Sequence, residues 1–310
     1  KRMKMKKLNF IIKCGLALLL LSFYSCESWL NVTPSDRLSE EMLFNDREGF
    51  VKALNGVYIE LNTNELYGRN LTAGALDVMG QYYSVASSSH AFYNYGGLVY
   101  TGNDEKALFD NMWQKCYAVI ACCNTIIEKC DENKAGLSPV WRGSIKGEAL
   151  ALRAMLHFDM LRLFGPLTSE LDKESIPYQT NSDQTVTPLL SGSEVVGLIL
   201  DDLKNAVGLL KDTDPYFVEE EFSDTDLNYR RFRMNYFAAK GLMARVQLWG
   251  GDKEKAAATA KEVIAEGQAE GAEFFPFVTN SEATSSNPDR VFYSEVLFGT
   301  YHSSREKLHE

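Results

Sequence analysis

Phe109, Trp113, Cys116, Ile120, Cys123 and Ile127 recur at offsets of 4, 7, 11, 14 and 18 residues, and only an α-helix brings those offsets onto one face. The same period returns along most of the chain, so its core has to be built by laying one amphipathic helix against another. Phe50, Val51, Leu54, Val57, Tyr58 and Leu61 mark a helix over about 46–61, opened by Asn45 and Glu48 in a capping-box-like pair. Ile145, Ala149, Leu152, Leu156, Met160 and Leu163 form the stripe of another. It starts after Ser138-Pro139, since proline's missing N–H costs nothing at the first helical position, and Gly165-Pro166 stops it. Ser193 opens a helix carrying Val196, Leu200, Leu203, Val207 and Leu210 on one face. No alternation of strands with helices suggests a parallel sheet. The fold class expected is all-α, with helices in pairs and long irregular loops.

Two further helices, about 234–249 and 253–266, are joined by Gly250-Gly251-Asp252. The run Gly251-Asp252-Lys253-Glu254-Lys255-Ala256 resembles the turn and first small contact of a tetratricopeptide repeat, a two-helix unit of about 34 residues that stacks into curved scaffolds. Ala260 stands where the second helix of that unit usually carries a large aromatic residue.

The beginning of the chain obeys a different logic. Lys1, Arg2, Lys4, Lys6, Lys7 and Lys13 accompany an apolar run from Leu8 to Phe23 that is broken by Asn9, Lys13 and Ser22. A spanning helix needs about 20 apolar residues, so a signal peptide over residues 1–25 fits better. The run ends Phe23-Tyr24-Ser25-Cys26, which resembles a bacterial lipobox, with Phe23 in place of the usual Leu. Cys26 is therefore the expected lipidation site, and acyl chains there would tether the body to a membrane by about 0.8 kcal/mol per buried methylene. Without those leading cations the chain is more acidic than its formal net charge of -10 already makes it. That excludes the clustered basic surface of a nucleic-acid binder.

With Cys14 in the signal and Cys26 lipidated, four cysteines remain: Cys116, Cys122, Cys123 and Cys130. Steps of seven residues are about 10 Å along a helix, beyond the reach of a disulfide, so reduced and buried thiols are expected. The four histidines supply no paired metal ligands, and no metal or cofactor is expected. Asp224, Asp226 and Asn228 start like a calcium loop, but Tyr229 and Asn235 occupy the positions that require Gly and Glu. No phosphate-cradling glycine loop, His-Glu-x-x-His or Gly-x-Ser-x-Gly elbow occurs, so the chain offers no catalytic residues and is not expected to be an enzyme.

Aromatic residues make up 12% of the sequence, and several gather where glycine and serine are dense: Tyr82, Tyr83, Phe92, Tyr93, Tyr95 and Tyr100, with Asn94 among them. Flat rings beside adaptable polar groups suit sugars, whose C–H faces stack while their hydroxyls take hydrogen bonds. Tyr82, Tyr83, Tyr93, Asn94 and Tyr95 are the candidate ligand-binding residues. The competing expectation is that part of this set pins the loop to the core.

Several blocks, in order, carry a family resemblance: Cys26-Glu27-Ser28-Trp29-Leu30-Asn31-Val32-Thr33-Pro34, Ala53-Leu54-Asn55-Gly56-Val57-Tyr58, Trp113 with Tyr117 and Asn124, and Lys146-Gly147-Glu148-Ala149 with Leu152-Arg153-Ala154. Ile176-Pro177-Tyr178, Leu200-Asp201-Asp202-Leu203, Ala244-Arg245-Val246 and Ser294-Glu295-Val296-Leu297-Phe298 continue it. Together they resemble the SusD/RagB family of Bacteroidetes outer-membrane nutrient-uptake lipoproteins over nearly all of residues 26–300. The resemblance implies a tetratricopeptide-like helical domain over 26–310. It also implies a cell-surface lipoprotein that captures oligosaccharides, or in some members peptides, as the lid of a SusC-like TonB-dependent transporter in nutrient uptake. Members usually continue well beyond 310 residues, so the chain is expected to lack the C-terminal part of the family domain. Glu148 and Arg153 are expected to join helices rather than touch ligand. The alternative function is a structural helical-repeat lipoprotein that scaffolds an envelope complex.

Overall fold

The computed structural model describes residues 40–301 apart from 184, 270 and 271. The signal sequence and the lipidation site Cys26 lie outside the described residues. Residues Glu40–Leu43 form one helical turn of a separate N-terminal unit. From Phe44 onward the structure is organised by six long helices: α1 (Arg47–Leu61), α2 (Asn103–Glu132), α3 (Pro139–Phe164), α4 (Gly192–Thr213), α5 (Tyr236–Trp249) and α6 (Lys253–Gly267). A short antiparallel pair, β1 (Glu174–Pro177) with β2 (Leu189–Ser191), crosses the loop ahead of α4.

Five of these six helices begin at a side chain that satisfies an otherwise orphaned N–H, and α2 begins at Gly102 without one. Asp46 accepts from Gly49 N at 2.9 Å, so the cap of α1 is one residue later than Asn45. Ser138 accepts from the backbone of Trp141 ahead of α3, with Pro139 at the first helical position as expected. Ser191, not Ser193, caps α4, in a reciprocal capping box with Glu194. Both displaced caps have the same cause, since several Ser, Asp and Asn residues compete near each start and only the one with extended backbone can reach inward.

The helices pair in the order of the sequence, α2 with α3, α3 with α4 and α5 with α6, while α1 packs on α2 and α5 also packs on α4. Phe50, Leu54 and Leu61 of α1, Ile120 and Ile126 of α2, Leu152, Leu156 and Met160 of α3, and Phe237 of α5 are all buried to within 2% of complete. Full burial of each aliphatic side chain contributes about 1.5–3 kcal/mol before entropy is counted. The closest seam is α3 against α4. A Cβ on Gly143 would come within 2.6 Å of the Thr213 methyl and one on Gly147 within 2.7 Å of Leu210, so only glycine fits there. The α5–α6 turn takes the repeat-like form expected of it, with Gly251 at φ 92° and Asp252 accepting from Lys255 N.

Cys116, Cys123 and Cys130 are fully buried and unpaired, and burial pushes their thiols well up from the ordinary range. Cys122 corrects the expectation for the set: it is exposed. About 100° of helical rotation separates it from Cys123 and turns it out of the seam. No helix among the described residues is long and apolar enough to cross a membrane.

Candidate functional site

The aromatic segment between α1 and α2 is held from below by a chain of ring contacts. Phe164, the last residue of α3, meets Phe109 of α2 edge-on at 6.2 Å, and Phe109 meets Tyr95 at 5.9 Å and Tyr100 at 5.4 Å. Tyr95 then meets Phe92 at 5.8 Å, and the Arg69 guanidinium lies over the Phe92 ring. Such edge-to-face pairs each contribute about 0.5–1.5 kcal/mol beyond their buried area. A one-turn helix, Tyr93–Gly96, sits on top of this stack.

The five candidate residues divide accordingly. Tyr82, Tyr83 and Tyr93 are 80%, 54% and 42% exposed, whereas Tyr95 is 2% exposed in a small core with Ala75 and Val78. Burial raises the Tyr95 hydroxyl to about 12. Tyr95 is therefore an anchor of the loop, because two residues along a helical turn carry it to the face opposite Tyr93. Asn94 also points to the scaffold, donating to the Glu105 carboxylate at 2.7 Å and holding that carboxyl below its ordinary value.

Gln81 closes the loop. Its side-chain amide donates to Gly96 O at 3.0 Å and to Val78 O at 3.3 Å, so the peptide entering Tyr82 is tied to the helix carrying Tyr93. Gln81 and Leu98, on either side of the exposed tyrosines, adopt left-handed backbone with φ of 62° and 55°. For residues other than glycine this stores about 1–3 kcal/mol, and it persists only where surrounding contacts over-determine it. The result is a surface presenting three phenol rings on a braced frame. Rings offered this way can stack on an apolar face while their hydroxyls remain free to donate and accept.

The charged blocks quoted from the sequence have a different role, and both form closed buried networks. Arg153 forks onto Asp202 at 2.6 and 2.7 Å, donates to Asn124 at 2.8 Å, and the same carboxylate accepts from Tyr178. His157 lies under the Tyr178 ring at 4.0 Å, accepts from Gln179 N and uses its other nitrogen on Arg153 O. In the second network Arg230 forks onto Asp214 and reaches Glu148, which also takes Arg233 and the Tyr58 hydroxyl. Burial alone would push the Glu148 carboxyl up, but Arg233, Arg230 and Tyr58 more than reverse it. Glu148 and Arg153 thus join helices, as expected, through partners that lie too far off in sequence to be read there. Asp224 and Asp226 fall in a short helix, Asp224–Asn228, where the Asp226 carboxylate accepts from Ser223. Among the described residues no cluster of His, Cys, Asp and Glu could hold a metal.

A family model described as SusD-like, starch-binding and associating with the outer membrane matches residues 28–248. SusD-like protein P2 of Formosa agariphila is 26% identical over 269 residues, covering 84% of this chain and 46% of that protein. A SusD-like protein of Bacteroides ovatus is 30% identical over 146 residues, 46% of this chain and 23% of its own length. The chain thus spans less than half the length of these relatives. Among solved structures, a SusD-like carbohydrate-binding protein from Bacteroides vulgatus superposes with a TM-score of 0.59 at 23% identity, over 77% of this chain and 47% of that one. A laminarin-binding SusD-like protein does so with a TM-score of 0.56 at 16% identity, over 77% and 48%. These superpositions establish a shared fold, including the tetratricopeptide-like pairing of helices. Matched by the family model over more than two thirds of its length, the chain belongs to the SusD-like family.

Proposed function

We propose that the chain captures oligosaccharides at the outer surface of the cell, stacking them on Tyr82, Tyr83 and Tyr93. It delivers them without cleavage to a SusC-like TonB-dependent transporter that it covers as a lid. The observation that carries this reading is the braced loop itself, with three exposed rings on a frame fixed by Tyr95, Asn94 and Gln81. The family's description as starch-binding and a structural neighbour's as laminarin-binding support a glycan over a peptide.

Changing Tyr82, Tyr83 or Tyr93 singly to Ala should weaken binding several-fold, the equivalent of about 0.5–1.5 kcal/mol per stacked ring, with the helical circular dichroism unchanged. Calorimetry with soluble starch and laminarin oligosaccharides measures it. If all three variants bind as the parent does, the loop is not the site; if the pure protein shortens the glycan, it is an enzyme and not a lid.

The tether is Cys26, which ends the apolar leader. Cys26→Ala should move the protein from the membrane to the soluble fraction of disrupted cells. Unchanged membrane partition would remove the lipoprotein reading.

A further inference from the structure

A cavity of about 180 Å³ lies between α1, the first turns of α3 and the segment 215–233, and it shares no residue with the tyrosine loop. Trp141, Phe222 and Tyr229 supply aromatic wall, and Asn55, Asp226 and Arg233 supply polar wall. Trp141 also borders an adjoining open cleft of about 480 Å³, whose rim carries Asp46, Arg47, Glu48 and Glu221.

The indole of Trp141 is held firmly. Its ring lies 4.5 Å from that of Phe222, and the Arg47 guanidinium sits 4.7 Å from its centroid. Its Nε1 is buried and has no hydrogen-bond partner. The charged neighbours at the same cavity, Glu148, Arg230 and Arg233, are all engaged with one another or with Asp214 and Asn55. An unpaired buried donor costs about 1–3 kcal/mol, so a protein keeps one beside a cavity most economically where an acceptor arrives from outside.

Charge and size narrow what arrives. Glu148 and Asp226 balance Arg230 and Arg233 around the cavity, which therefore favours neither an anion nor a cation. Its volume suits one six-membered ring rather than a chain. Aromatic wall, a lone N–H donor, a half-buried carboxylate and an exposed amide are the groups that receive a neutral ring with apolar C–H faces and equatorial hydroxyls.

We propose that this cavity is a second carbohydrate subsite, which takes one terminal sugar unit against Trp141 while the adjoining cleft receives the units that follow. It stands independently of the tyrosine loop.

The test is a titration of ¹⁵N-labelled protein with glucose, galactose, mannose, xylose and N-acetylglucosamine, following the indole N–H signal of Trp141, assigned by its loss in Trp141→Phe. At least one sugar should shift that signal saturably. The shift should persist in a variant carrying Tyr82→Ala, Tyr83→Ala and Tyr93→Ala, and weaken several-fold in Tyr229→Ala, whose ring is 60% exposed and so removable without unfolding. Absence of a saturable shift with all five sugars overturns the proposal. So does a shift that vanishes in the triple tyrosine variant, which would leave the tyrosine loop as the sole site. If the shift persists while oligosaccharide affinity is untouched by the triple change, the tyrosine loop fails and the Trp141 site stands.

Discussion

Replacing Arg230 by Ala should destabilise the protein by about 3–5 kcal/mol, the cost of leaving a buried charge without its partner. Two carboxylates are affected together. Asp214 is fully buried and takes both Arg230 nitrogens, at 2.9 and 2.5 Å, and Glu148 is 3% exposed and takes the third. Asp214 would keep only backbone donors, Tyr216 N and Tyr236 N, and Glu148 would keep Arg233 and Tyr58. Urea unfolding followed by circular dichroism gives the number. Arg233→Ala is the comparison, because that side chain is 23% exposed and its loss admits water to Glu148; it should cost markedly less. A loss under about 1 kcal/mol for Arg230→Ala would mean that the network relaxes or hydrates, against the closed arrangement described above.

Stability should also fall as pH drops below about 6.5, and His157 is the reason. Burial lowers this imidazole to about 3. Its ring accepts from Gln179 N, so it must stay neutral in the folded state, with its proton on the nitrogen facing Arg153 O. The unfolded chain binds a proton near pH 6.5 and the folded chain does not until far lower. Each pH unit in between therefore removes up to about 1.4 kcal/mol, and the stability is fully present above 6.5. Unfolding free energies at pH 7.5, 6.0 and 4.8 should reveal a loss of about 2–3 kcal/mol. That range lies above the titration of most carboxylates. The slope should flatten in His157→Gln, even though that variant starts from lower stability. An identical slope in both proteins would transfer the effect to other groups.

The helical frame was legible because its cause is local. A stripe at helical spacing reports which face is buried, and Ser138-Pro139 and Gly165-Pro166 end α3 where steric rules require. The two misplaced caps show the limit, since Asn45 and Asp46 are chemically equivalent as caps and only backbone angles choose between them. Which of the rings pin the loop to the core stayed open in the sequence for a related reason. In a segment without a stripe nothing reveals that Tyr93–Gly96 makes a helical turn, and that turn sends Tyr93 outward and Tyr95 into the core. Glu148 and Arg153 were expected to join helices, but their partners Arg230 and Asp202 lie 82 and 49 residues away, too far for local spacing to name them. The role of Trp141 was hidden behind its position three residues after a helix cap, a place that says where α3 starts and nothing of what faces the indole.

The corner where α1 meets Glu148 has a consequence for synthesis. Met234 N–H donates to the Tyr58 hydroxyl across 176 residues of sequence, and Arg233 stacks on the same ring. A ribosome adding about 5–20 residues per second therefore releases Tyr58 roughly 10–35 seconds before its last partners exist. The first long helix of the described residues is among the last to be locked, and Glu148, once made, waits a further 82 residues for Arg230. A translational pause ahead of codon 230 would lengthen the exposure of this half-made corner to chaperones and proteases, whereas a pause after codon 234 would not.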